Sequence, residues 1–69
     1  MDAHTYKKIE IVGTSEISSD DAVQNAIART ANSVKNLRWF EVVESRGSIK
    51  DGKIERWQVT LKIGFTMNE

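Results

Sequence analysis

From Tyr6 to Val12 the chain reads YKKIEIV, an alternation that sets Lys7, Ile9 and Ile11 on one side of an extended segment and Tyr6, Lys8, Glu10 and Val12 on the other. Gly13-Thr14-Ser15 follows as a breaker, so a first strand over 6–12 is predicted. The period then changes. Val23, Ala26, Ile27, Thr30, Ala31 and Val34 recur at helical spacing behind Ser18, Ser19, Asp20 and Asp21, which offer an N-cap and first-turn carboxylates. One amphipathic helix from about Ser19 to Val34 is expected, and its stripe of small and medium residues suits close packing on a sheet.

From Leu37 to Ile49 and from Lys53 to Met67 the period returns to two, and Asp51-Gly52 between them is the signal of a tight hairpin turn. In the last strand Trp57, Val59, Leu61, Ile63, Phe65 and Met67 make one apolar face, while Arg56, Gln58, Thr60, Lys62 and Gly64 make the other. The helix is expected on the apolar face. With Asp51-Gly52 as the turn, Lys50 pairs with Lys53, Ser45 with Gln58 and Trp39 with Gly64. That register places Phe40 and Val42 with the helix-facing set, puts Trp39, Glu41 and Val43 on the helix-free face with Gln58, and turns Arg46 to the face opposite Gln58. A bulge in strands of this length would shift the pairing.

The pattern predicts a single α+β domain over 1–69, β-α-β-β, with one helix on a three-stranded antiparallel sheet. Its other face carries a tryptophan opposite a glycine, where there is room for a ring, and an uncovered aromatic calls for a neighbouring subunit or a planar ligand. Trp57, in the apolar register, is expected in the core or at a subunit contact.

Length sharpens this expectation. A chain of 69 residues buries only about 60% of the surface it exposes when unfolded. With no cysteine and one histidine, neither disulfides nor a four-ligand metal site is available to support the thin core. Oligomerisation or a bound ligand is the expected source of stability. Ten basic residues balance ten acidic ones, which removes the field that would steer the chain onto nucleic acid or an anionic membrane. The start MDAHTYKK lacks the apolar region of a signal peptide, and no apolar run could span a bilayer, so a soluble, cytoplasmic protein is expected. No nucleophile, base and orienting group converge, and no enzyme is expected. Glu16, Asp20 and Asp21 are read as helix-start electrostatics rather than a metal cluster. Gly13-Thr14-Ser15 matches no phosphate-loop pattern.

Tyr6-Lys7-Lys8-Ile9-Glu10-Ile11-Val12-Gly13-Thr14-Ser15, Trp39-Phe40-Glu41-Val42, Arg46-Gly47, Gln58-Val59 and Gly64-Phe65, in that order and spacing, resemble the dodecin family over nearly the whole chain. The resemblance implies a sheet partly wrapped around the helix and a hollow homo-dodecamer that stores flavin without catalysing a reaction. It implies that Trp39 stacks on the isoalloxazine and quenches it, that Gln58 reads the flavin's polar edge, and that Arg46 lies near the ligand. The ligand would be FMN or riboflavin. Coenzyme A binding, through Tyr6 and Arg29, is a further implication, and a scaffold that binds coenzyme A or no physiological flavin is the alternative. Two departures from the family's common pattern stand out: Arg38 where an acid is usual, and Thr66 where an arginine is usual. Arg38 is therefore a candidate phosphate contact.

Overall fold

A computed structural model of the chain describes residues 4–67. Residues 1–3 and 68–69 of the expected domain lie outside the described residues. The element order is β1 (Tyr6–Ser15), α1 (Ser19–Ala31), β2 (Leu37–Lys50) and β3 (Lys53–Thr66). The sheet is antiparallel in the order β1-β3-β2, so the C-terminal strand is central. This is the expected β-α-β-β arrangement.

The local chemistry of each boundary accounts for the ends. Ser18 caps α1 by accepting a hydrogen bond from the Asp21 backbone N–H at 3.0 Å, and Asp20 and Asp21 lie in the first turn. Asp21 also accepts from the Ser15 hydroxyl at 2.6 Å, tying the end of β1 to the start of the helix. The helix stops at Ala31, three residues before the expected end. Ser33 and Val34 both donate to the Thr30 carbonyl in a closing turn, and Asn36 at φ 67 reverses the chain into β2. At the hairpin, Asp51 (φ 54) and Gly52 (φ 74) both take positive φ, as a two-residue turn matched to strand twist requires.

Gly13-Thr14-Ser15 does not break β1, which continues through it. A Cβ on Gly13 would run into the backbone of Ala22 and the side chain of Ala26. The glycine is there because the helix crosses so closely, and Ala22, fully buried, is the residue that meets it.

Leu61, Ile63 and Val59 of β3 are the largest fully buried side chains, each contributing about 1.5–3 kcal/mol by burial. Ala26 completes the cluster with Leu61 and Ile63, and Ile9, Ile11, Val23, Ile27 and Leu37 pack around it. The helix rests on β1 and β3. Thirteen helical residues reach about 20 Å, whereas fourteen strand residues reach roughly 46 Å, so half the hairpin projects beyond the helix. Phe40 and Val42 do share the helix-facing side, pairing with Ile63 and Leu61, but each stays half exposed. In β2 only Leu37 is even partly buried.

The expected register between β2 and β3 holds at the turn and from Trp39 to Val42, slips between them, and slips once more at Arg38, so that Leu37 pairs with Phe65. Trp39 pairs with Gly64 and Lys50 with Lys53, yet Gln58 faces Arg46 rather than Ser45. Three residues have no partner across the ladder: Arg38, Val43 and Glu55. Val43 on β2 inserts the shift and Glu55 on β3 cancels it, so the turn itself is unaffected.

Candidate functional site

On β3 the side chains of Gly64, Lys62, Thr60 and Gln58 point away from the helix, and the register gives each a partner on either side. The first row is Lys8–Gly64–Trp39, the second Glu10–Lys62–Glu41, and the last of interest Thr14–Gln58–Arg46. The rows of Trp39 and of Gln58 mark two poles of the helix-free face.

At the first pole the indole of Trp39 lies across the central strand. A Cβ on Gly64 would overlap ring carbons Cε2, Cζ2 and Cη2, so the ring rests on the glycine backbone. Gly64 is buried beneath it while Trp39 keeps 38% of its surface exposed. Tyr6 meets the ring edge-on, centroids 5.2 Å apart at 74°, and His4 extends the aromatic row at 6.3 Å from Tyr6. The indole Nε1–H donates to Glu41 Oε2 at 3.1 Å, and the Lys8 ammonium lies 3.3 Å from the same oxygen. The indole hydrogen bond first, then Lys8 and more distantly Lys62, hold the Glu41 carboxyl below the usual glutamate range.

At the second pole Arg46 Nε donates to Gln58 Oε1 at 2.7 Å. The expectation that Arg46 faces away from Gln58 is corrected here: the extra residue Val43 rotates the following stretch of β2 by one position and brings the guanidinium beside the amide. With its oxygen held, Gln58 presents its amide NH₂ outward, where it donates to nothing among the described residues.

Six residues of β3 separate Gly64 from Gln58, about 20 Å at strand rise. Trp39 and the Arg46–Gln58 pair share a face, but one protomer does not bring them together. Arg38, the bulged residue beside Trp39, lines a small groove at the sheet edge with Trp39 itself and with Ile27, Leu37, Phe40 and Ile63. Thr66 pairs with Tyr6, one row beyond the indole. Tyr6 belongs to the Trp39 cluster, while Arg29, in the last helical turn, lines a groove between α1 and β1 with Gly13, Thr14, Asn25 and Asn32. The two residues linked to coenzyme A are therefore on different sides of the sheet.

Glu41 and Lys8 had no assigned role in the sequence reading. Glu41 was visible in principle, since residues two apart on a strand share a face. Lys8 was not, because the pairing of β1 with β3 is set by the helix crossover. Asp21 is engaged at the helix start as expected, accepting from Ser15 and Asn25, whereas Glu16 lies before the cap and pairs instead with Arg56 of β3 at 3.2 Å.

Residues 5–68 match the family model described as Dodecin. The chain is similar to the dodecin of Thermus thermophilus, with 45% identity over 64 residues and 93% of each chain covered. It is similar to the solved dodecin of Streptomyces davaonensis at 50% identity and a TM-score of 0.94, with 99% of this chain and 100% of that one aligned. It also resembles, at 31% identity over 62 residues and 90% and 87% coverage, a protein of Mycobacterium tuberculosis named calcium dodecin.

Proposed function

The chain belongs to the dodecin family, and we propose that it is a cytoplasmic flavin store: a homo-dodecamer that stacks FMN or riboflavin on Trp39 and quenches its photochemistry. The observation that carries this reading is the indole laid flat over Gly64 with its outer face uncovered, a surface cut for another flat ring. A Cβ at position 64 would fill the space in which the indole lies.

Flavin, when bound, supplies the light absorption and the electron-accepting ring. The chain supplies the rest. Trp39 offers a π-face and an electron donor in van der Waals contact, and Gln58 presents the amide NH₂ to a polar ring edge, with Arg46 holding its oxygen and adding positive charge. Because about 20 Å separates these groups along β3, the edge reader for one protomer's tryptophan comes from another copy. The half-exposed Phe40 and Val42, the exposed Ile49 and Ile54, and a core of few buried residues favour the same conclusion. Flavin is favoured over calcium as the ligand because Glu16 and Asp21 are already engaged by Arg56 and by the helix start.

The test is a fluorescence titration of FMN and riboflavin at fixed salt, after light scattering has established the size of the particle. Quenching of either flavin by a particle near twelve subunits is expected. A stable, well-folded monomer would sink the assembly reading, and an intact particle that leaves both flavins bright would sink the flavin reading.

A further inference from the structure

An indole lying on an open sheet face can turn over without losing its stacking area. Of the contacts that hold Trp39, the glycine floor and the Tyr6 edge are indifferent to which side of the ring carries the N–H. Only Glu41 reads that edge, through the 3.1 Å bond to Nε1. Glu41 is in turn held by Lys8 on β1, so the carboxylate is pinned from the opposite edge of the sheet across β3. The Lys8–Glu41 pair is itself about half exposed, and such pairs add little to stability. Its effect falls on the ring it touches.

Resting on the reading of Trp39 as the flavin stacker, we propose that Glu41 is a positioning residue that fixes the orientation of the indole and, as a carboxylate at the N–H, makes the ring a faster electron donor to light-excited flavin. One electron passes from the indole to the excited flavin, oxidising the ring and reducing the flavin by one electron each. The oxidised indole carries positive charge and a more acidic N–H. Glu41 Oε2 stabilises that charge and takes a larger share of the proton along the existing hydrogen bond. Electron and proton then return, and nothing is consumed.

The experiment has a flavin-free arm and a flavin arm, both in a Trp57→Phe background where Trp39 is the remaining indole. Without flavin, the ¹⁵N-indole Nε1–H resonance is followed against pH. It is expected to shift with a midpoint below the ordinary glutamate range, because the charged neighbours of Glu41 are Lys8 on β1 and Lys62 on β3, with Glu10 paired to Lys62 in the same row. Lys8→Ala should raise the midpoint, Glu10→Gln should lower it slightly, and Glu41→Gln should abolish the titration.

With flavin, and after elution volumes have been matched, Glu41→Gln keeps an acceptor but loses the charge: affinity should change little while the bound flavin becomes several-fold brighter. Glu41→Leu loses both, and affinity should also fall about tenfold, the worth of a hydrogen bond to a charged group. A parent that binds and quenches flavin while both variants bind and quench equally overturns the inference alone. A pH-independent indole resonance, unchanged in Glu41→Gln, overturns the positioning role. A parent that does not quench strikes the flavin reading itself and takes the donor role with it.

Discussion

Trp39 on β2 and Trp57 on β3 each sit directly across the hairpin from a glycine, Gly64 and Gly47, and on opposite faces of the sheet. The two glycines answer different needs. At Gly64 a Cβ would strike the six-membered ring of Trp39, so the glycine makes room for a side chain lying flat. At Gly47 a Cβ would strike the carbonyl oxygen of Arg56, so there the glycine lets two backbones approach beside the Glu55 bulge. The indole of Trp39 is fastened at its N–H and open on its face. Trp57 lies on the helix side beyond the helix, half buried, in a groove with Ser45, Ile49 and Ile54. A tryptophan opposite a glycine is thus no signature by itself. What separates the two is whether the glycine serves the ring, as at Gly64, or the backbone, as at Gly47.

The largest effect should come from the rings themselves. Trp39→Ala is expected to remove most flavin affinity, roughly 1–3 kcal/mol by analogy with bases stacked on aromatic side chains and more if two copies sandwich the ligand. Trp57→Phe should leave binding within about twofold, the scale of a surface substitution away from the ligand. Trp39→Phe separates stacking from quenching, since phenylalanine presents a face but donates electrons poorly: some affinity should remain while the bound flavin brightens. The readout is flavin fluorescence against protein concentration, with elution volumes compared first. Strong quenching by Trp39→Ala and none by Trp57→Phe would exchange the roles of the two tryptophans.

A smaller and more pointed contrast comes from the glycines. Gly64→Ala should lift the indole off the sheet and weaken flavin binding about tenfold, through lost contact and a strained rotamer, while the fold persists because only a side chain must move. Gly47→Ala meets backbone that cannot move aside, and should lower the thermal midpoint of the particle while the flavin affinity of the surviving fraction stays near the parent's. Thermal unfolding and flavin titration on both variants make a two-by-two table of outcomes. Equal loss of affinity in both would mean that the glycines do the same work.

Why the sequence revealed one half of this contrast and not the other follows from the register. The turn is legible because Asp51-Gly52 has a local conformational need, and counting outward from it pairs Trp39 with Gly64 correctly. That correct pairing arises because the bulges at Val43 and Glu55 compensate. Between them every partner shifts by one, which is why Arg46 reads as facing away from Gln58 when it bonds to it. No residue in V-V-E-S or K-I-E-R announces a bulge. The deepest helical residue, Ala22, was likewise missed in favour of the larger Val23 and Ile27, since depth is decided by where β1 offers a glycine and not by hydrophobicity. The end of α1 was overrun because Val34 continues the helical spacing, although Asn32 and Ser33 before it favour a turn. Distance along the strand was in the sequence throughout: six residues place Gln58 far from Trp39, whatever the face.

The smallest expected effect concerns which flavin is preferred, and it turns on Arg38. Where the family resemblance expects an arginine, this chain has Thr66, paired with Tyr6 one row beyond the indole. A positive charge is therefore lost from the edge of the Trp39 platform. Arg38 stands next to the indole in sequence and is the unpartnered residue of a bulge, a place where a strand re-aims a side chain. Its guanidinium has no carboxylate partner among the described residues, so it is free to meet a phosphate on the ligand tail with charge-assisted hydrogen bonds. FMN should then bind more tightly than riboflavin by about twofold to fivefold, the modest worth of an exposed charge pair. Arg38→Ala should close that gap by weakening FMN and leave riboflavin nearly unchanged, because riboflavin presents no phosphate to lose. Arg38→Lys should recover part of it, keeping the charge but not the planar fork. Raising the salt concentration should shrink the parent's preference in the same direction, as screening acts on the phosphate contact and not on stacking. Equal affinity of the parent for both flavins at low salt would remove Arg38 from the site, while a preference that survives Arg38→Ala would point to a different cation, with Arg46 of a neighbouring copy the next to replace.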